Sequence, residues 1–307
     1  MEWRGRRQSS NIEDRRGQPG GGMDDGGFGG PGGGPRFRIP MGSGRGGIGG
    51  IGGIGGIVVL LVIAWLTGTN PLQLIGLDTG SPGPSSSAPS GRTGSPTDEA
   101  GKFIATVLAD TEDAWGKAFR ARGQTYQPPT LVLFTGATRS GCGAASASIG
   151  PFYCPADRKV YLDLDFFAQL SGRLGAQGDF AQAYVVAHEI GHHVQNLLGT
   201  IRPGAARAEG ATGQSVRTEL QADCLSGIWA RYEQNASYLQ TGDIDEAMRA
   251  AAAVGDDALQ KASRGYAVPD SFTHGSSAQR KAWFNRGLQT GNIDACDTFS
   301  ATNLDRP

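Results

Sequence analysis

The run Ala187-His188-Glu189-Ile190-Gly191-His192-His193 holds three of the chain's four histidines. In helical register His188 and His192 stand at i and i+4, one turn apart on one face, so two imidazole nitrogens can meet at one point. A zinc ion suits that point, because it takes imidazole nitrogen at about 2.0–2.1 Å in a tetrahedral shell. Glu189 follows the first histidine and is placed to act as a general base on a water in the open coordination position. His193 projects about 100° around the helix from His192, so it is expected to support or pack rather than bind the same ion. The plainer alternative is a buried helix with chance histidines. Two rings in register with a glutamate between them weigh against it.

Two histidines and a water do not close a zinc shell, so a third protein ligand is required. Glu219-Leu220-Gln221-Ala222-Asp223 offers it, with Glu219 and Asp223 sharing a helix face at i and i+4. Glu219 is expected to supply a carboxylate oxygen to the metal. Asp223 is expected to accept the outer N–H of a ligand histidine, fixing its tautomer and raising its basicity. Carboxylates so spaced also make ordinary solvated faces. Here they sit among Leu220, Ala222, Cys224, Leu225, Ile228 and Trp229, which is the composition of a buried helix.

The elements that must carry these residues are legible. Asp179 is a good N-cap before the apolar run Phe180–Ala187, and Gly199 stands where a C′ glycine would end that helix. Gln214–Asn235 reads as a second helix. Thr97-Asp98-Glu99 opens an earlier one that runs to about Arg122 and buries Phe103, Val107, Leu108, Trp115 and Phe119 on one face. Leu131–Phe134 and Lys159–Leu164 read as strands, while Asp243–Gln260 and Ser276–Gly287 read as further helices. Thr200–Gly213, rich in Gly and Ala, reads as a loop rimming the cleft between the ligand helices.

His188-Glu189-x-x-His192 followed by Glu219-x-x-x-Asp223 resembles the gluzincin arrangement of thermolysin-like zinc peptidases. More closely, His188–Gln195, Glu219–Trp229, Asp270–Arg280, Gly141-Cys142-Gly143 and Gly150–Pro155 are similar to the bacterial membrane-anchored family of putative neutral zinc metallopeptidases, over roughly residues 98–300. The resemblance implies a zincin-like α+β domain, mainly helical with a small sheet, and Zn2+ peptidase chemistry on a peptide or protein substrate. It also implies a strand beside the metal helix that binds substrate by edge pairing. Val160–Leu164 is the candidate, with an ordinary structural strand as the alternative.

The N-terminal third differs in kind. Much of the chain's complement of 50 glycines lies there, and residues 1–45 carry too few apolar groups to offset the entropy of ordering, so a disordered tail is expected. Residues 46–68 include Ile57–Leu66 and no charged group, and the run Gly47–Leu66 matches the roughly twenty residues of one transmembrane helix. Arg36, Arg38 and Arg45 precede it, so the positive-inside rule puts the N-terminus in the cytoplasm and the remainder outside. A sticky low-complexity patch or a cleaved signal peptide are the alternatives. Residues 69–96 read as a flexible linker and residues 97–300 as the metallopeptidase domain. The formal net charge of −1 offers no basic excess for nucleic acid.

Cys142, Cys154, Cys224 and Cys296 allow three pairings. For a domain outside the cytoplasm, Cys142–Cys154 and Cys224–Cys296 are the favoured bridges, with Cys224 as a zinc ligand the alternative. His274, in Phe272-Thr273-His274-Gly275, is placed either to hydrogen-bond a reacting oxyanion or to cap a turn. The expected activity is therefore zinc-dependent peptide hydrolysis with Glu189 as base. Two rivals use the same residues: a catalytically silent, zinc-braced binding protein, and a zinc hydrolase of a non-peptide amide.

Overall fold

The computed structural model describes residues 1–17, 91–201 and 208–307. The fold is α+β, with a five-stranded sheet, a two-stranded hairpin and a helical layer that carries the candidate site.

The sheet begins with β1 (Ile12–Asp14), which pairs antiparallel with β2 (Arg92–Thr93). Helix α1 (Glu99–Ala121) follows, opened by Asp98, whose side chain accepts from the Gly101 N–H. Then come β3 (Thr130–Phe134), the hairpin of β4 (Ala137–Ser140) and β5 (Gly143–Ser146), and the antiparallel pair β6 (Phe152–Cys154) and β7 (Lys159–Asp163). The strand order is β2-β1-β3-β7-β6, with β1, β3 and β7 mutually parallel. Because side chains alternate along a strand, Leu131, Leu133, Val160 and Leu162 enter the main core. Val132, Phe134, Tyr161 and Cys154 make a smaller cluster on the opposite face.

Two expectations for the N-terminal third are corrected here. Residues 1–17 are part of the fold: Ile12 is 1 % exposed and pairs with Leu131, and the Met1 ammonium lies 2.8 Å from Asp179. What the low apolar content of 1–45 hid is that a short strand and a few arginines are enough when a sheet edge and buried carboxylates receive them. A single-pass membrane protein, with its N-terminus on one side of a bilayer and its domain on the other, is overturned by the same pairing, since β1 and β3 share one sheet. No helix among the described residues is long and apolar enough to cross a membrane. The span expected over 46–68 lies outside the described residues, as does most of the expected linker; Arg92–Thr93, within that linker, is β2.

The helical layer comprises α2 (Asp165–Gly172), α3 (Asp179–Leu198), α4 (Gln214–Asn235), α5 (Asp243–Ala253), α6 (Asp256–Arg264) and α7 (Ser277–Thr290). Helix α3 is buried from Phe180 to Gln195 apart from Gln182 and ends at Gly199 in the left-handed region, φ +73°. Gly178, not Asp179, occupies its N-cap position. Phe180 stacks on Trp229 of α4 with ring centroids 5.3 Å apart. Helices α4 and α7 meet backbone to backbone, because a Cβ at Gly227 would overlap the Phe284 carbonyl and one at Gly287 would overlap that of Cys224. The helix expected over Asp243–Gln260 is two helices. Gly255 breaks it where a Cβ would stand 2.5 Å from the Ser277 nitrogen.

Both favoured disulfides form. Cys142–Cys154 ties the hairpin to β6, and Cys224–Cys296 ties the C-terminal segment to α4, leaving no free cysteine. Cys224 is thereby removed as a metal ligand. Paired cysteines of this kind persist in oxidising compartments.

Candidate metal centre

Helices α3 and α4 place the three expected ligands together. His188 Nε2 lies 3.2 Å from Glu219 Oε2, and His192 Nε2 lies 3.5 Å from Glu219 Oε1. One donor atom from each of the three residues falls within 4.8 Å of the others. An ion with bonds of about 2.0–2.1 Å in tetrahedral geometry holds its ligand atoms about 3.3 Å apart. The spacing therefore fits zinc. The ring orientations fit it too, since each histidine turns its Nδ1 outward, to Asp223 Oδ1 at 2.9 Å for His188 and to Gln195 Oε1 at 2.8 Å for His192. Those acceptors hold the proton on Nδ1 and leave the Nε2 lone pair for the metal.

Burial and neighbouring charge set the protonation of the cluster. Burial opposes a charge on His188, but Asp223 and then Glu219 outweigh it and raise its pKa to about 9. Metal binding at His188 competes with protonation of the ring. Burial also opposes ionisation of Glu219, yet His192, His188 and His274 hold its carboxyl well below the usual range. Glu189 goes the other way. Burial, with repulsion from Glu219, pushes it up to about 7 against the pull of His188, Arg280 and the Tyr153 backbone N–H. A bound dication would draw it down again.

Around this triad the structure assembles groups that the sequence did not single out. Asp223 is fully buried and accepts from Tyr184 Oη at 2.5 Å and from both Nε and Nη2 of Arg280 at 2.8 and 3.0 Å. Gln195 also donates to the Thr218 carbonyl at 2.7 Å and to Gln221 Oε1 at 3.0 Å, linking α3 to α4. Gln195 was within reach of sequence reasoning, standing at i+3 from His192. Arg280 closes the run Asp270–Arg280 but has no local signal for its partner 57 residues away.

His274 lies at the rim, its side chain 17 % exposed. Its Nδ1 is 3.1 Å from Asp256 Oδ1, and Asp256 Oδ2 accepts the backbone N–H groups of Thr273, His274 and Gly275 at 2.6–3.0 Å. Burial resists a charge on His274, but Asp256 and then Glu219 raise its pKa. The turn-capping alternative is filled by Asp256 rather than by His274 itself.

His193 packs away from the centre. Its Nε2–H donates to the Gln127 carbonyl at 2.7 Å and its Nδ1 accepts from Tyr153 Oη at 3.0 Å, and burial lowers its pKa to about 4. Tyr153 belongs to β6, so this bond braces β6 against α3. The strand expected to offer an edge, Val160–Leu164, does not: β7 is paired on both sides, and β6 is the edge strand beside α3. A second carboxylate group, Asp179, Asp243 and Glu246, lies at the N-terminus, where the Met1 ammonium pairs with Asp179 at 2.8 Å and Asp243 at 3.3 Å and Glu246 accepts the Phe180 N–H.

Comparison with known proteins agrees with this geometry. The family model described as "Putative neutral zinc metallopeptidase" matches residues 1–299. The chain belongs to that family. It is 49 % identical over 306 residues to the "Uncharacterized protein YpfJ" of Escherichia coli (strain K12), covering 97 % of this chain and 99 % of that one. It is 45 % identical over 224 residues to the "Uncharacterized protein Rv2575" of Mycobacterium tuberculosis (strain H37Rv), covering 69 % of this chain and 75 % of that one. No solved structure gives a significant match. The match from residue 1 accords with the place of residues 1–17 in the sheet, and the zinc that the family's description names accords with the donor set of His188, His192 and Glu219.

Proposed function

We propose that this chain is a zinc-dependent peptidase whose metal is held by His188, His192 and Glu219. The observation that carries the reading is the convergence of their donor atoms within 4.8 Å, with Glu189 buried in the next position along α3. Zinc in such a site supplies a Lewis acid that polarises a carbonyl and brings the pKa of a bound water to about 7.

The chain's own residues do the rest. Glu189, next to the first ligand on α3, takes a proton from the attacking water and returns it to the leaving amine. Asp223 and Gln195 hold the two imidazoles in the binding tautomer. His274, its Nδ1 engaged by Asp256, has its Nε2 left to donate to the charge that develops on the carbonyl oxygen. The outer edge of β6, which pairs with no further strand among the described residues and whose Tyr153 is tied to His193 and Asn196 on α3, offers an extended peptide the backbone groups that Glu189 does not already engage.

A zinc-braced binding protein is the weaker reading. Structural zinc sites are closed by four protein ligands and favour cysteine, whereas this cluster has three members among the described residues and both cysteine pairs are oxidised. Zinc stoichiometry measured together with turnover of a peptide library, before and after chelation, separates the two. Activity that disappears with the metal and returns with it supports the peptidase. Bound zinc with no turnover of any peptide removes it.

A further inference from the structure

Arg280 takes no part in the steps above, yet it is 3 % exposed and aimed at the metal helix from α7. Its Nε and Nη2 grip both oxygens of Asp223, Nη2 also reaches Tyr184 Oη at 3.2 Å, and Nη1 reaches the Val254 carbonyl at 3.3 Å. Nη2 lies 3.3 Å from His188 Nδ1 as well. A guanidinium carries donors only, so it cannot receive a proton from that nitrogen. Asp223 Oδ1, 2.9 Å from His188 Nδ1, is the acceptor. The planar fork fixes the carboxylate at two points and stops it rotating away from the ring, which a single ammonium could not do.

We propose that Arg280 is a positioning residue that sets the zinc affinity of the centre: by clamping Asp223 it locks His188 with its proton on Nδ1 and its Nε2 free for the metal. The inference rests on the reading of His188, His192 and Glu219 as the ligands. Arg280 also ties α7 to α4, and His274 sits in the turn that leads into α7, so the clamp joins the metal ligands to the rim of the site.

The test is zinc affinity, measured by competition with a chelating dye, for the wild-type chain, R280K, R280Q and W283F, alongside the thermal stability of each metal-free protein. Trp283 lies buried on α7 and spends its N–H on the Leu304 carbonyl, outside the Arg280–Asp223–His188 chain, so W283F reports on loosened packing. R280K and R280Q should each bind zinc about 10–100-fold more weakly, while W283F should lose stability and keep its affinity within about threefold. Should R280Q not fold, R280K decides, because it keeps the charge and loses only the fork. Wild-type affinity in R280K overturns the proposal. So does an equal loss in W283F at matched stability, which would make the effect one of packing. Absence of zinc binding by the wild-type chain would instead remove the metal centre itself.

Discussion

Gly191 and Ala222 set the spacing between the two ligand helices: a Cβ on Gly191 would stand 2.9 Å from the Ala222 carbonyl oxygen and 3.1 Å from its Cα. Both opposing atoms are backbone, so the strain of a larger residue can only be relieved by moving α3 from α4. His188 and His192 lie on one of these helices and Glu219 on the other. Gly191→Ala should therefore cost about 1–3 kcal/mol of stability and weaken zinc binding, a combination that thermal melts and dye competition will reveal. An unchanged zinc affinity would show that the centre tolerates a wider gap.

His274 is the group to vary at the rim. His274→Ala should leave bound zinc unchanged and lower kcat by about 10²–10³, the usual cost of one lost oxyanion donor. Asp256→Asn should reproduce part of that loss, because Asp256 holds both the ring and the three backbone N–H groups of its turn. Full activity in His274→Ala would confine the residue to a structural role.

A pH effect on stability is expected far from the metal. Arg6 bonds Asp110 at 2.6 Å and Glu233 at 3.2 Å, while Asp110 Oδ2 and Glu233 Oε1 are buried without hydrogen-bond partners among the described residues. Burial raises both carboxyl pKa values against the pull of Arg6; Glu233 and Asp113 add to it at Asp110, where Arg7 also opposes, and Asp113 adds to it at Glu233. A folded pKa above the unfolded value means that the native state holds the extra proton. Unfolding free energy should then fall as pH rises from the ordinary carboxyl range through neutrality. Asp110→Asn should flatten that slope in melts recorded across the range. A slope unchanged in the variant would assign it elsewhere.

Helix boundaries and ligand spacing were written locally. The stop at Gly199 follows from a left-handed cap that needs no tertiary partner, and Gln214–Asn235 forms its helix without a side-chain cap at Gly213. What the sequence concealed was long-range. Ile12–Asp14 is too short to announce a strand and gains its structure from β2 and β3. The free edge at Phe152–Cys154 depends on which strand flanks β7, a matter of topology. Arg280 and Asp256 act on residues brought near only by packing of α6 and α7.

Glu189→Gln bears most directly on the proposed chemistry, because it keeps the side chain's size and removes only its capacity to carry a proton. Zinc content and peptide turnover should be measured on the same preparation. The variant should bind zinc at the wild-type stoichiometry and lose turnover by about 10²–10⁴. Zinc-loaded Glu189→Gln that cleaves peptides at the wild-type rate would contradict the assignment of Glu189 as the base, and with it the hydrolytic mechanism.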